Sequence, residues 1–193
     1  MSGSASPLVL ASASPRRRWL LAKLGRPFEV DAPDIPEVPH AGEAADVFAE
    51  RMAIEKATAV AARHPDAWVL AADTVVTLDG AALGKPKDAA EAATMLRSLA
   101  GRAHVVHTGV ALRGPAGTPS ERMVVGTPVV FRSLTADEIT AYIATGEPFD
   151  RAGAYAIQGE GAHLVDRVEG SYTNVIGLPL PEVAEWLRRW RIL

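Results

Sequence analysis

The stretch Leu8-Val9-Leu10-Ala11-Ser12-Ala13-Ser14-Pro15-Arg16-Arg17-Arg18 reads as strand, tight turn and helix. Its four leading apolar residues make a short buried strand. Ser14 carries the hydroxyl that caps a helix N-terminus, and Pro15 suits the first helical position, where a backbone N–H has no partner in any case. Leu20, Leu21 and Leu24 continue as an inward stripe until Gly25 stops the helix. A strand feeding a helix across so short a turn predicts an α/β protein.

The rest of the chain decides which kind. Pro33, Pro36 and Pro39 make residues 31–42 a loop, which carries Asp34 and Glu37. Residues 43 to 63 are Ala-rich and helical until His64-Pro65. Trp68 to Ala72 reads as a buried strand with Asp73-Thr74 at its end, and Val75 to Leu78 before Asp79-Gly80 as a hairpin arm. The capping-box patterns Asp88/Glu91 and Thr135/Glu138 open two helices, ended by Gly101 and Gly146. Between them, residues 104–112 and 123–131 form a second hairpin about a turn at 114–119, with His104 and His107 flanking its first strand. Residues 153–161 are irregular, Leu164-Val165 and Val175-Ile176 are short strand candidates, Tyr172 is a partly buried packing residue, and Pro181 opens a last helix with Val183, Leu187 and Trp190 inward. Hairpins among helices imply a mixed sheet rather than a strictly parallel one.

With 193 residues the chain has the length of one domain, residues 1–193. Twenty Lys plus Arg against 23 Asp plus Glu give a net charge of −3, which argues against a broad polyanion-binding face and so against a nucleic-acid partner. The absence of Cys excludes disulfides, thiolate zinc sites and a cysteine nucleophile. No run approaches the roughly 18 to 20 apolar residues of a membrane span, so no membrane partner is expected. Residues 1–18 do not read as a secretory signal, because their apolar core covers only Pro7 to Ala11 and the positive charges follow it. A cytoplasmic protein is expected.

The turn at Ser12 to Arg18 is the first chemical candidate. Unpartnered N–H groups and the macrodipole make a helix N-terminus an anion site. Three Arg in that turn oppose the dipole, which calls for a bound anion unless they are simply solvated. No Walker-type P-loop is present. Asp73, at a strand end, has the place of a metal ligand or general base, or of a plain turn former. Gly84-Lys85-Pro86 presents an ammonium from a stiffened turn. The chain uses 16 Arg and 4 Lys, which raises the weight of each Lys, Lys56 in mid-helix and Lys85 among them. The five His show no metal-binding spacing.

Five motifs then fall in one order: S-A-S-P-R-R from Ser12, A-A-D-T-V-V from Ala71, G-K-P from Gly84, A-G-A-Y-A-I-Q-G from Ala152 and S-Y-T-N-V-I-G-L-P-L from Ser171. In this the chain resembles the Maf family of nucleoside triphosphate pyrophosphatases, over roughly residues 8 to 189. The resemblance implies an inosine-triphosphatase-like α/β fold with a cleft between two lobes, release of pyrophosphate from a nucleoside triphosphate substrate, a divalent metal (Mg²⁺ or Mn²⁺) and a cytoplasmic homodimer. It implies Asp73 as catalytic base, Asp73 and Glu37 as metal ligands, and Ser12, Arg16, Arg17, Lys56, Thr74, Lys85 and Gln158 as substrate-binding residues. Arg17, Thr74 and Gln158 match the dTTP/UTP branch rather than the 7-methyl-GTP one, while Glu160 departs from the family pattern beside the base-reading position. The competing class is a nucleotide-sensing or nucleic-acid-binding regulator of septum formation.

Overall fold

The computed structural model describes residues 6–116 and 118–193. Residues 1–5, where the signal-peptide reading falls in part, and Gly117, in the expected 114–119 turn, lie outside the described residues. In chain order the elements are β1 (Leu8–Leu10), α1 (Pro15–Ala22), β2 (Glu29–Val30), α2 (Ala45–Ala61), β3 (Trp68–Leu78), β4 (Ala81–Leu83) and α3 (Ala89–Leu99). There follow β5 (Ala103–Arg113), β6 (Glu121–Phe131), α4 (Ala136–Ala144), three 3₁₀ turns (Glu147–Asp150, Ala152–Ala154, Glu160–Leu164), β7 (Val165–Val168), α5 (Tyr172–Ile176) and α6 (Leu180–Arg189).

Among the described residues, seven strands form one mixed sheet in the order β2-β1-β3-β5-β6-β7, with β4 folded back on β3. β1 runs parallel to β2 and β3, and all other pairings are antiparallel. The α/β class and mixed sheet are as expected. α2 covers one face. Its inward stripe, Ala49, Met52, Ala53, Lys56, Ala57 and Val60, keeps helical spacing and uses small residues. That lets its backbone press on β5 so closely that a Cβ on Gly109 would stand 2.2 Å from the Ala49 carbonyl oxygen. On the opposite face Leu20 and Leu21 of α1, Leu96 and Leu99 of α3, Tyr142 of α4 and Leu187 of α6 share the larger core with Leu10, Leu70 and Phe131 of the sheet.

The local readings hold at several caps. Ser14 accepts from Arg17 N, Asp88 from Glu91 N, and Thr135 and Glu138 complete a reciprocal capping box. Asp79 and Gly80 take the positive φ values, 52° and 81°, of a two-residue hairpin turn. Other readings are corrected. Asp73 does not end a strand: Val75 to Leu78 continue β3 because β5 pairs with it through Thr77. His104 and His107 lie within β5 rather than beside it. Val175-Ile176 belong to helix α5, since Ser171 caps Asn174 N and Gly177, at φ 125°, ends the turn. Tyr172 is 47% exposed, outside the core. β2, two exposed residues long, carries no pattern that predicts it.

Candidate active site

The site is built on the middle of β3, where one edge of the strand is open. On that edge β1 pairs only as far as Leu70 and β4 begins only at Val76. Alternation along the strand sends neighbouring side chains to opposite faces, so Asp73 faces α2 and Thr74 faces α1. Both are reached through the gap between β1 and β4. The cleft there has a volume of about 380 Å³ and brings together Ser12, Arg16, Arg17, Glu37, Lys56, Asp73, Thr74, Lys85 and Gln158, all nine expected residues.

On the α2 face, Lys56 is the one charged residue of the buried stripe, 6% exposed. Its ammonium lies 2.7 Å from Asp73 Oδ1 and 2.6 Å from Glu37 Oε1. A buried ammonium needs such partners, because an unpaired charge in a low dielectric is strongly unfavourable. The loop bearing Glu37 is fastened at both ends, to α2 and to the residues that follow it. Arg63 donates to both Asp31 oxygens, with His64 alongside, and holds the Asp31 pKa down to about 2, chiefly through the Arg63 hydrogen bonds. Arg51 donates to both Glu43 oxygens and to the Val38 carbonyl, and its hydrogen bonds hold Glu43 likewise down to about 2.

On the α1 face, the Arg17 guanidinium donates to the Gly177 carbonyl (3.0 Å), Ser12 Oγ (3.3 Å) and Thr74 Oγ1 (3.0 Å). Two of its five N–H donors are left for a ligand. Behind Thr74 the chain of bonds runs to Thr108 Oγ1 and the Asn174 carbonyl, and the Asn174 amide donates to Val106 O and Thr127 Oγ1. Asn174 is fully buried, so this network fixes α5, and with it the Gly177 carbonyl, against the sheet. Burial lowers the Arg17 pKa, and the charge of Asp73 opposes that shift.

The third wall comes from the segment after β4 and the 3₁₀ turns. Lys85 pairs with Asp150 at 2.6 Å in an exposed contact, and Gly153 N donates to Gly84 O. The side chains of Gln158 and Arg16 line the cleft and form no hydrogen bond or ion pair with other described residues. Arg151 also lines the cleft, with a buried Nε that has no hydrogen-bond partner among the described residues. Among the described residues the lining holds five cations (Arg16, Arg17, Lys56, Lys85, Arg151) and three carboxylates (Glu37, Asp73, Asp150), an excess suited to a polyphosphate.

Sequence reasoning missed Arg151, Asp150, Thr108, Asn174 and Arg51. For Asn174 and Arg151 the signal was their place inside or beside the motif stretches; Thr108 and Arg51 gave none.

Asp73 and Glu37 converge on one cation and are hard oxygen donors, which fits Mg²⁺ or Mn²⁺ completed by phosphate and water. Among the described residues no three His, Cys, Asp or Glu side chains form a metal cage, so these two carboxylates are what could hold a metal here.

Residues 7–190 match the family described as Maf-like protein. The dTTP/UTP pyrophosphatase of Myxococcus xanthus strain DK1622 is 58% identical over 189 residues, covering 98% of this chain and 95% of that protein. The protein of the same name from Geobacter metallireducens is 54% identical over 183 residues, covering 95% of each. Among solved structures, a HAM1 protein from Coxiella burnetii aligns over 95% of this chain and 99% of its own with a TM-score of 0.56 and 20% identity, a likeness of fold.

Proposed function

This chain belongs to the Maf-like protein family, and we propose that it hydrolyses dTTP and UTP to the monophosphate and pyrophosphate. The observation that carries the reading is the cleft in which the Asp73–Lys56–Glu37 cluster and the Arg17–Thr74 pair meet at the open edge of β3. A triphosphate brings about four negative charges. Arg16, Arg17 and Lys85, with the N–H groups at the start of α1, hold and orient that tail, and Ser12 keeps Arg17 in place. Asp73 accepts the proton of a water that attacks the α-phosphorus; the bond from that phosphorus to the bridging oxygen breaks, and pyrophosphate leaves with the bridging oxygen. Lys56 fixes the Asp73 carboxylate for this task. A divalent cation held by Asp73 and Glu37 would supply neutralising charge and make water more acidic.

Gln158 is the base reader. Uracil and thymine present an acceptor at O4 beside a donor at N3, and one amide offers the matching donor and acceptor. The reading includes a cytoplasmic homodimer with no nucleic-acid or membrane partner; the net charge of −3 weighs against a polyanion bound over a broad face. Among the described residues no helix is long and apolar enough to cross a membrane. A pure nucleotide sensor, the competing class, has no use for a carboxylate held on a buried ammonium. Incubation of the purified protein with UTP or dTTP and Mg²⁺, followed by chromatography, tests the reaction. Monophosphate and pyrophosphate are expected; diphosphate and orthophosphate as first products, or tight binding without turnover, refute it.

A further inference from the structure

Gln158 stands in a stretch without helix or strand, between the turns Ala152–Ala154 and Glu160–Leu164. An amide meets a base acceptor and a neighbouring base donor together only while its backbone keeps it in register with that edge. The stretch is held from behind by two side chains that do not line the cleft. Chain reversal at Gly146, φ 79°, brings Glu147 back beneath the segment. Glu147 Oε2 accepts from Tyr142 Oη at 2.9 Å and from Gly161 N at 2.8 Å, and Oε1 accepts from Glu160 N at 3.3 Å.

Tyr142 Oη in turn accepts from Ala156 N at 3.2 Å. The backbone two residues before Gln158 and the backbone two and three residues after it are thus tied to one carboxylate–phenol pair. The fit is close: a Cβ on Gly159, itself at φ 117°, would stand 2.1 Å from Glu147 Oε1, and one on Gly161 would stand 2.6 Å from Tyr142 Oη. Burial raises the Tyr142 pKa, so the phenol remains a donor to Glu147.

We propose that Glu147 and Tyr142 are positioning residues for base discrimination, holding the Gln158 amide against the pyrimidine edge. The proposal rests on the reading of Gln158 as base reader. Its test compares wild type with Tyr142→Phe, Glu147→Gln and Gln158→Ala, and with Glu121→Ala, which removes the acceptor of Arg189 and Trp190 where β6 meets α6. The readouts are the UTP-to-CTP ratio of kcat/KM and, independent of turnover, the CTP-to-UTP ratio of Kd in EDTA.

Gln158→Ala is expected to lower both ratios about 10-fold. Tyr142→Phe should reproduce most of that loss, about 5-fold, without matching it in overall turnover. Glu147→Gln, which keeps length and one acceptor oxygen, should show a smaller but measurable loss. Glu121→Ala should lower Tm and leave both ratios alone. Equal loss for UTP and CTP in Tyr142→Phe, or a fall in Tm with unchanged ratios, overturns the proposal; should that variant not fold, an unchanged ratio in Glu147→Gln does the same. Wild-type ratios in Gln158→Ala overturn it together with the base-reader assignment. Absence of wild-type turnover with Kd ratios that behave as stated overturns the pyrophosphatase reading and supports the positioning role.

Discussion

Replacing Lys56 by Met is expected to destabilise the protein by about 3–5 kcal/mol, and adding Asp73→Asn should return much of that loss. The magnitude follows from where the pair sits. The Lys56 and Asp73 side chains are 7% and 9% exposed and meet at 2.7 Å, so this is not a surface ion pair of about 0–1 kcal/mol. Methionine has a similar length, is a good helix former and extends the stripe of Ala49, Met52, Ala53 and Ala57, so packing is kept and the positive charge alone is lost. What remains is Asp73 buried without its counter-ion, beside a Glu37 that shared the same nitrogen. Glu37 is 56% exposed and can turn to water; Asp73 cannot. Asparagine at position 73 needs hydrogen bonds but carries no charge, so the double variant should lie within about 1–2 kcal/mol of wild type. Urea unfolding at pH 7 in EDTA, followed by circular dichroism, gives all four corners of the cycle, and unchanged m-values would show that the end states are the same. A Lys56→Met protein within about 0.5 kcal/mol of wild type, or a double variant less stable than that single one, refutes the reasoning.

Asp73→Asn alone keeps an acceptor for Lys56 and should fold and bind UTP, with turnover reduced about 10²- to 10⁴-fold; steady-state rates near wild type would remove Asp73 from the reaction. Gly109→Ala drives a methyl group into the backbone of α2 at Ala49 and Glu50, and should cost about 3 kcal/mol and reduce activity, because α2 carries Lys56; thermal unfolding close to wild type counts against so close a contact. Burial holds the His104 pKa down to about 4 from 6.5, so the unfolded chain takes up the proton first and stability present above pH 6.5 is lost as pH falls through 4, by about 3 kcal/mol. His104→Phe keeps a ring beside Phe131 and Tyr155 and should flatten that slope in denaturant titrations at pH 4 to 7; an unaltered slope assigns it to other groups.

Elements with a local cause were legible. Ser14-Pro15, Asp88 and Thr135 each cap a helix through a side chain three residues from the N–H it binds, and Asp79-Gly80 makes a turn from its own backbone preferences. Where the reading failed, the cause lay far along the chain. Val75 to Leu78 form the expected hairpin arm with β4, but the strand does not break at Asp73-Thr74, because β5, some thirty residues later, pairs across that point. Val175-Ile176 are apolar and β-branched, as a strand would be, yet Ser171 and Gly177 close a single helical turn around them, and the buried Asn174 ties it to the sheet. β2 pairs with β1 through two exposed residues and has no periodicity to read.

The candidate site divides in the same way. Motif order identified its residues, but their pairing depends on the register of the sheet. Lys56 gains weight in the sequence as one of few lysines, although the stronger signal is its place on a stripe of Ala, Met and Val, where a charge demands a buried partner. That partner, Asp73, is reachable because alternation along β3 turns it toward α2 and turns Thr74 toward Arg17. Had β1 run further, it would have paired with β3 at both positions and closed the edge. Its stop at Leu10 frees Ser12 to Arg17 to form the turn, and leaves the middle of β3 open beside the N-terminus of α1. One short strand therefore sets both the anion-binding helix start and the cleft-facing carboxylate, which is why S-A-S-P-R-R and A-A-D-T, 59 residues apart at Ser12 and Ala71, meet in one cleft.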